Sequence, residues 1–147
     1  MSTKNRRQAR LNAIQVIYSR QCLPAHPQFE ELLYQSTKID THVASFTSDL
    51  LDRTWDNLKT IDKLIQQHLK NWKQNRISPV LNAILRVATS ELLYFEETDA
   101  KVVFNEAVEI TKKMVGDQAT KICNGVLHGI WTANQDAKQS KLPLKPE

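Results

Sequence analysis

Residues 41–69 read THVASFTSDLLDRTWDNLKTIDKLIQQHL. Val43, Phe46, Leu50, Leu51, Trp55, Leu58, Ile61, Leu64, Ile65 and Leu69 recur at spacings dominated by three and four. That period lines one face of an α-helix, whereas a half-buried strand would alternate at every second residue. Twenty-nine residues is long for one globular helix, so a break is expected near Asp56–Thr60, with Asp62 contributing to a cap.

The same reading extends outward in both directions. Residues 4–22 carry Leu11, Ala13, Ile14, Val16, Ile17 and Tyr18 at helical spacing and stop before Pro24 and Pro27. A short helix is expected over Phe29–Gln35. Ser78-Pro79 supplies a capping hydroxyl followed by proline at the first helical position, so a helix is expected from there to Tyr94. A polar turn, Glu96–Ala100, precedes a helix over Val102–Met114, and Gly116 ends it as a C-cap glycine. A last helix is expected over Asp117–Trp131. Residues 135–147, with Lys138, Lys141, Lys145, Pro143 and Pro146, read as a disordered polar tail. With no strand pattern or internal repeat, the expected architecture is all-α, about seven helices in one domain over 1–134 with the tail at 135–147.

Composition narrows the function. The chain has 147 residues, 41% of them apolar and 24% charged, which is enough to bury a core without metal or disulfide. No apolar run approaches the ~20 residues that span a bilayer, and the charged N-terminus lacks the apolar core of a secretion signal. Cys22 and Cys123 have no paired spacing and read as small core residues in a reducing, cytoplasmic compartment. The net charge of +4 is uneven. Residues 1–29 carry five cations (Lys4, Arg6, Arg7, Arg10 and Arg20) and no acid, residues 30–62 sum to −4, and the rest to +3. A basic end and an acidic middle suit a protein with one face turned toward nucleic acid.

Catalytic templates are missing. Glycine occurs only at 116, 125 and 129, far from any phosphate-loop pattern. His26, His42, His68 and His128 show no metal-ligand spacing with cysteines or acids, and His128 reads as a partly exposed helix residue. Glu106 and Glu109 read as ion-pair partners, Glu109 having Lys112 and Lys113 at the following turn. No enzyme, cofactor, metal or small-molecule substrate is expected. Arg6, Arg7 and Arg10 share the start of a packed helix, and the arginine fork matches phosphate geometry. Lys101 and Lys121 open the last two helices, near N-termini that favour anions.

Four segments, NRRQARLNAIQVIYS, AILRVATSEL, KVVFNEAVEITKK and NGVL, occur in an order and at separations that resemble the NusB family of bacterial transcription antitermination factors, over residues 4–131. The resemblance implies two small helical subdomains and no enzymatic activity. It implies binding to the single-stranded boxA element of nascent ribosomal RNA transcripts, jointly with the ribosomal protein NusE, within an RNA polymerase antitermination complex. Carried over by position, Arg6, Arg7 and Arg10 match the RNA-binding arginine motif and are expected to have few packing duties. Tyr18, Lys101, Lys121 and Ile122 match RNA-side positions. Arg76, Leu81 and Asn82 match the side associated with NusE. Asn105, Glu106, Asn124 and Gly125 are family signatures expected to do structural work, Gly125 by permitting close helix packing. The chain departs from the family at Ile122, where phenylalanine is frequent and would stack on a base, and at Leu81-Asn82, where an acid and a base are usual. Two other readings stay open. One is the NusB-like N-terminal domain of an RNA cytosine methyltransferase, which needs an α/β domain this chain lacks; Met1 and the polar tail are expected of an intact chain instead. The other is a helical protein-binding adaptor with weakened RNA contacts.

Overall fold

The computed structural model describes residues 3–22 and 41–141. Among these the fold is all-α: α1 (Thr3–Cys22), α2 (Thr41–Asp56), α3 (Leu58–His68), a short 3-10 turn (Gln74–Arg76), α4 (Pro79–Tyr94), α5 (Ala100–Met114) and α6 (Asp117–Lys141). The expected helix at Phe29–Gln35 lies outside the described residues.

The long apolar stripe breaks at Asn57, between α2 and α3, as its length required. Asp62 plays no capping part there. Its carboxylate takes both Nε and Nη2 of Arg86 at 2.8 Å, tying α3 to α4. Ser78 does cap α4, its hydroxyl accepting from the Leu81 N–H, and Pro79 opens the helix. Asp99 caps α5 through the Lys101 N–H at 3.0 Å. Gly116, with φ of +139°, turns the chain between α5 and α6 in a conformation that only glycine adopts freely. Helix α6 continues to Lys141, so residues 135–141 are helical, not part of a disordered tail.

Helix α4 is the axis of the core. It packs against α1, α2, α3, α5 and α6, while α1–α2 and α5–α6 form two further close pairs. Leu81, Ile84, Leu85, Val87, Ala88 and Leu92 of α4 meet Ala13, Ile17, Leu50, Ile61, Ile65, Val103, Leu127 and Ile130 in one buried cluster. Cys123 belongs to it, but Cys22 is exposed, and both thiols are free. Close helix approach falls at Gly129, where a Cβ would stand 2.5 Å from Cδ2 of His68. At Gly125 a Cβ would meet nothing within 4 Å, so that glycine is not required by packing.

Candidate nucleic-acid interface

Side chains at the start of α1 reach the turn before α5 and the middle of that helix. Arg6 donates from Nη1 to Oγ1 of Thr98 at 3.3 Å, and its guanidinium carbon stands 5.0 Å from the Phe46 ring centroid. Arg7 donates from Nε and Nη2 to the two carboxylate oxygens of Glu106, at 2.8 and 3.3 Å. The Arg7 side chain remains 44% exposed, whereas that of Glu106 is 7% exposed. The Glu106 hydrogen bond and charge, aided by Glu109, hold the Arg7 guanidinium above its already high pKa. It is therefore a permanent cation, held in position yet open to a ligand on its outer side.

Arg10 has a different role from the expected one. Its Nε and Nη2 each lie 2.7 Å from the Glu91 carboxylate, and the two side chains are only 5% and 1% exposed. Arg10 is thus a core residue locking α1 to α4, and the expectation that it lies on the RNA-facing surface with few packing duties is corrected. A buried carboxylate is tolerated only with a paired, hydrogen-bonded cation, and Arg10 supplies both.

Lys101 is exposed on the first turn of α5, three residues beyond Thr98. Arg6, Arg7 and Lys101 thus share one corner. The α5 N-terminus itself is already occupied by the Asp99 carboxylate, and the negative charge of Asp117 in the first turn of α6 disfavours an anion there. Lys121 is exposed in a shallow groove between α5 and α6, with Asn105, Val108, Glu109, Thr120 and Asn124. Asn105 and Asn124, expected to do structural work by capping or bridging helices, are exposed there. Glu106, by contrast, does the structural work expected of it. His128 is exposed and stacks on Phe104 with ring centroids 4.0 Å apart.

Tyr18 is 39% exposed but stands eleven residues beyond Arg7, roughly 16 Å along the helix axis. Its hydroxyl pairs with Cys22, which holds the phenol above its usual pKa. Beside it, Arg20 lies over the Trp55 ring at 4.7 Å. Ile122 is half-buried against the core. Arg76 is exposed on the 3-10 turn, and the half-buried Asn82 accepts from Gln74 at 2.9 Å. Leu81 is 2% exposed, so its side chain fills the core and offers no apolar contact to a partner, contrary to expectation.

One feature escaped the sequence reading. From 63 to 90 there are five cations (Lys63, Lys70, Lys73, Arg76 and Arg86) and no acid, a run as one-sided as the N-terminal one. Within it Trp72 is 51% exposed. The signal was present in the charge order but was masked by summing the whole segment 63–147. Among the described residues no group of His, Cys, Asp and Glu is placed to hold a metal ion, and no helix is long and apolar enough to cross a membrane.

Residues 7–131 match the model of the NusB family. The chain is 37% identical over 126 residues to a transcription antitermination protein NusB of Nitratiruptor sp., covering 85% of this chain and 90% of the relative. It is 36% identical over 123 residues to the NusB of Halalkalibacterium halodurans, covering 84% and 90%. Among solved structures it superposes with a TM-score of 0.80 and 25% identity on a chain from a complex of the antitermination factors NusB and NusE with dsRNA, covering 90% of this chain and 99% of that one.

Proposed function

This chain belongs to the NusB family, and from that premise we propose that it is an RNA-binding transcription antitermination factor. In this reading it binds the boxA element of nascent ribosomal RNA as a single strand, together with NusE, and the pair acts on RNA polymerase. The observation that carries the reading is the corner where Arg6, Arg7 and Lys101 meet: cations held on two packed helices, one of them fixed by Glu106. Lys121, Asn105 and Asn124 continue that surface along the α5–α6 groove. The solved NusB–NusE–dsRNA complex supports both partner classes.

The role of each residue follows from its exposure. Arg6, Arg7, Lys101 and Lys121 contact phosphates, which position the strand, while Asn105 and Asn124 reach base edges. Ile122 packs against a base without stacking on it. Tyr18, at the far end of α1, marks the boundary between RNA and partner, and Arg76 with Asn82 faces NusE. Arg10 and Leu81 hold these surfaces in place from inside.

A titration of fluorescent boxA RNA tests the reading against scrambled and duplex RNA, with and without NusE, at two salt concentrations. Selective binding to single-stranded boxA that tightens with NusE is expected. Equal, salt-labile binding to all three RNAs would overturn the assignment, and binding of NusE with no RNA contribution would leave only a protein adaptor.

A further inference from the structure

The loop between α3 and α4 and the adjoining face of α6 enclose a groove of about 280 Å³, just below the size that takes drug-sized ligands. Resting on the RNA-binding reading above, we infer that this groove is a stacking subsite for one base of single-stranded RNA, with Trp72 as its aromatic wall.

Four observations converge on it. The first is chemical: the floor is apolar (Leu69, Ile122 and Val126), the rim carries Lys70 and Lys121, and no acid lines the groove. An apolar slot edged by cations matches a nucleotide, whose base is flat and whose phosphate is anionic. The second is Trp72 itself, half exposed within the acid-free run 63–90. A large aromatic left open among lysines is the arrangement that single-strand binders use to hold bases in sequence-tolerant fashion.

The third is rigidity. Asn71 adopts a left-handed conformation, φ +69°, which turns the chain at the end of α3. Gln66 then clamps the loop at the tryptophan and two residues beyond it. Its amide donates to the Trp72 carbonyl at 3.1 Å and accepts from the Gln74 N–H at 2.8 Å. The wall is pre-organised, so less conformational entropy is lost when a base stacks on it.

The fourth is Gly125. Glycine is the least favourable helix residue after proline, and here no neighbour demands it, since a Cβ would point into open space. Gly125 itself lines the groove. A glycine in that wall lets a ligand approach the helix backbone closely. Lys121 lines both this groove and the α5–α6 groove, so the subsite continues the phosphate track and is not an isolated patch. Trp72 supplies the ring that Ile122 cannot.

The test is a coupling measurement on single-stranded boxA RNA with NusE present. Each nucleotide is replaced in turn by an abasic one, and affinity is compared for wild type, Trp72→Leu and Trp72→Phe. At one position the abasic change is expected to weaken wild type by about fivefold or more, and Trp72→Leu not at all. Trp72→Phe recovers most of the loss. Gly125→Leu fills the groove and favours helix, so it is expected to weaken RNA binding while its Tm holds or rises. If Trp72→Leu and Gly125→Leu bind RNA as wild type does while Arg6→Ala/Arg7→Ala binds weakly, the subsite is overturned and the RNA reading stands. If they weaken NusE binding and leave RNA affinity unchanged, the groove is a protein contact and the inference fails. If wild type itself does not select boxA, both readings fall.

Discussion

Arg10→Ala is the substitution that separates a structural arginine from an RNA-binding one. In the native chain two 2.7 Å hydrogen bonds join Arg10 to a Glu91 whose side chain is 1% exposed. Removing the guanidinium leaves a carboxylate buried against α1 with no counter-charge. Breaking a buried pair in this way costs about 3–5 kcal/mol, a large part of the roughly 5–15 kcal/mol that holds a domain folded. At about 3–4 °C per kcal/mol for a chain of this size, Tm should fall by roughly 10–20 °C. Removing both charges is different: Arg10→Met with Glu91→Leu replaces the pair by apolar groups of similar volume and should be neutral or stabilising. The functional arm uses that folded double variant. If Arg10 makes no phosphate contact, the slope of log affinity against log salt stays at the wild-type value. Arg6→Ala/Arg7→Ala should make the slope shallower by about 1.4, at roughly 0.7 per phosphate on a single strand. Thermal denaturation and salt-dependent RNA titration read the two arms. Wild-type Tm in Arg10→Ala would refute the burial argument. A slope shallower by about 0.7 in the double variant would refute the claim that Arg10 stays inside.

Alkaline pH probes the other side of the core. Burial pushes the Cys123 thiol up to about 11, against a smaller downward pull from Thr111. The folded state therefore keeps a proton that the unfolded chain loses near pH 9. This contribution is intact below pH 9 and is lost as pH rises toward 11, at roughly 2–3 kcal/mol across the window. Denaturant titrations should show that loss, with Cys123→Ala giving a flatter pH profile. Part of the slope will remain, because burial also raises the Tyr94 phenol. Gly129→Ala should lower Tm even though alanine is the better helix former by about 1 kcal/mol, since its Cβ would meet the His68 ring at 2.5 Å. In a His68→Ala background the same change should raise Tm, and a lowered Tm in both backgrounds would contradict the contact.

What the sequence made legible was local. Ser78-Pro79 and Gly116 mark helix ends because caps and turns act within a few residues, and the break inside 41–69 follows from stripe length alone. The role of Arg10 was hidden because its partner lies 81 residues away. Helix α1 buries Arg10, Asn12 and Ser19 along with its apolar residues, so its polar positions do not mark its outer face. A clue existed on the other side: Glu91 is the only acid of α4, lies within the otherwise uncharged run of residues 87–95, and is the first acid after Asp62. An acid in such a place requires a cation from elsewhere. Leu81 misled for a similar reason. Position matching placed it on a partner surface, but with Ile84, Leu85 and Ala88 it falls on the buried stripe of α4. Gly125 and Gly129 look alike in the sequence, and only the position of His68 shows which one packing demands.

Among the described residues three arginine–carboxylate pairs stitch the helices: Arg10–Glu91 joins α1 to α4, Arg7–Glu106 joins α1 to α5, and Arg86–Asp62 joins α4 to α3. Arg86 also donates to Gln21 at 2.8 Å, fixing the far end of α1. Apolar ridges alone let one helix slide on another at little cost, whereas a bidentate pair holds only at one register. Such pairs add little net stability compared with an apolar core, so their value here is the spacing they impose. The cations of the α1–α5 corner and the aromatic wall at Trp72 sit on different helices and loops. On the proposed reading, a single strand crossing both would be read by the distance between its phosphates and its stacked base. That distance is set by these pairs, through α1, α3, α4 and α5. In the proposed RNA complex the arginine-rich start of the chain thus does two kinds of work: Arg6 and Arg7 face the strand, and Arg10, one turn further on, holds α1 on α4 from inside.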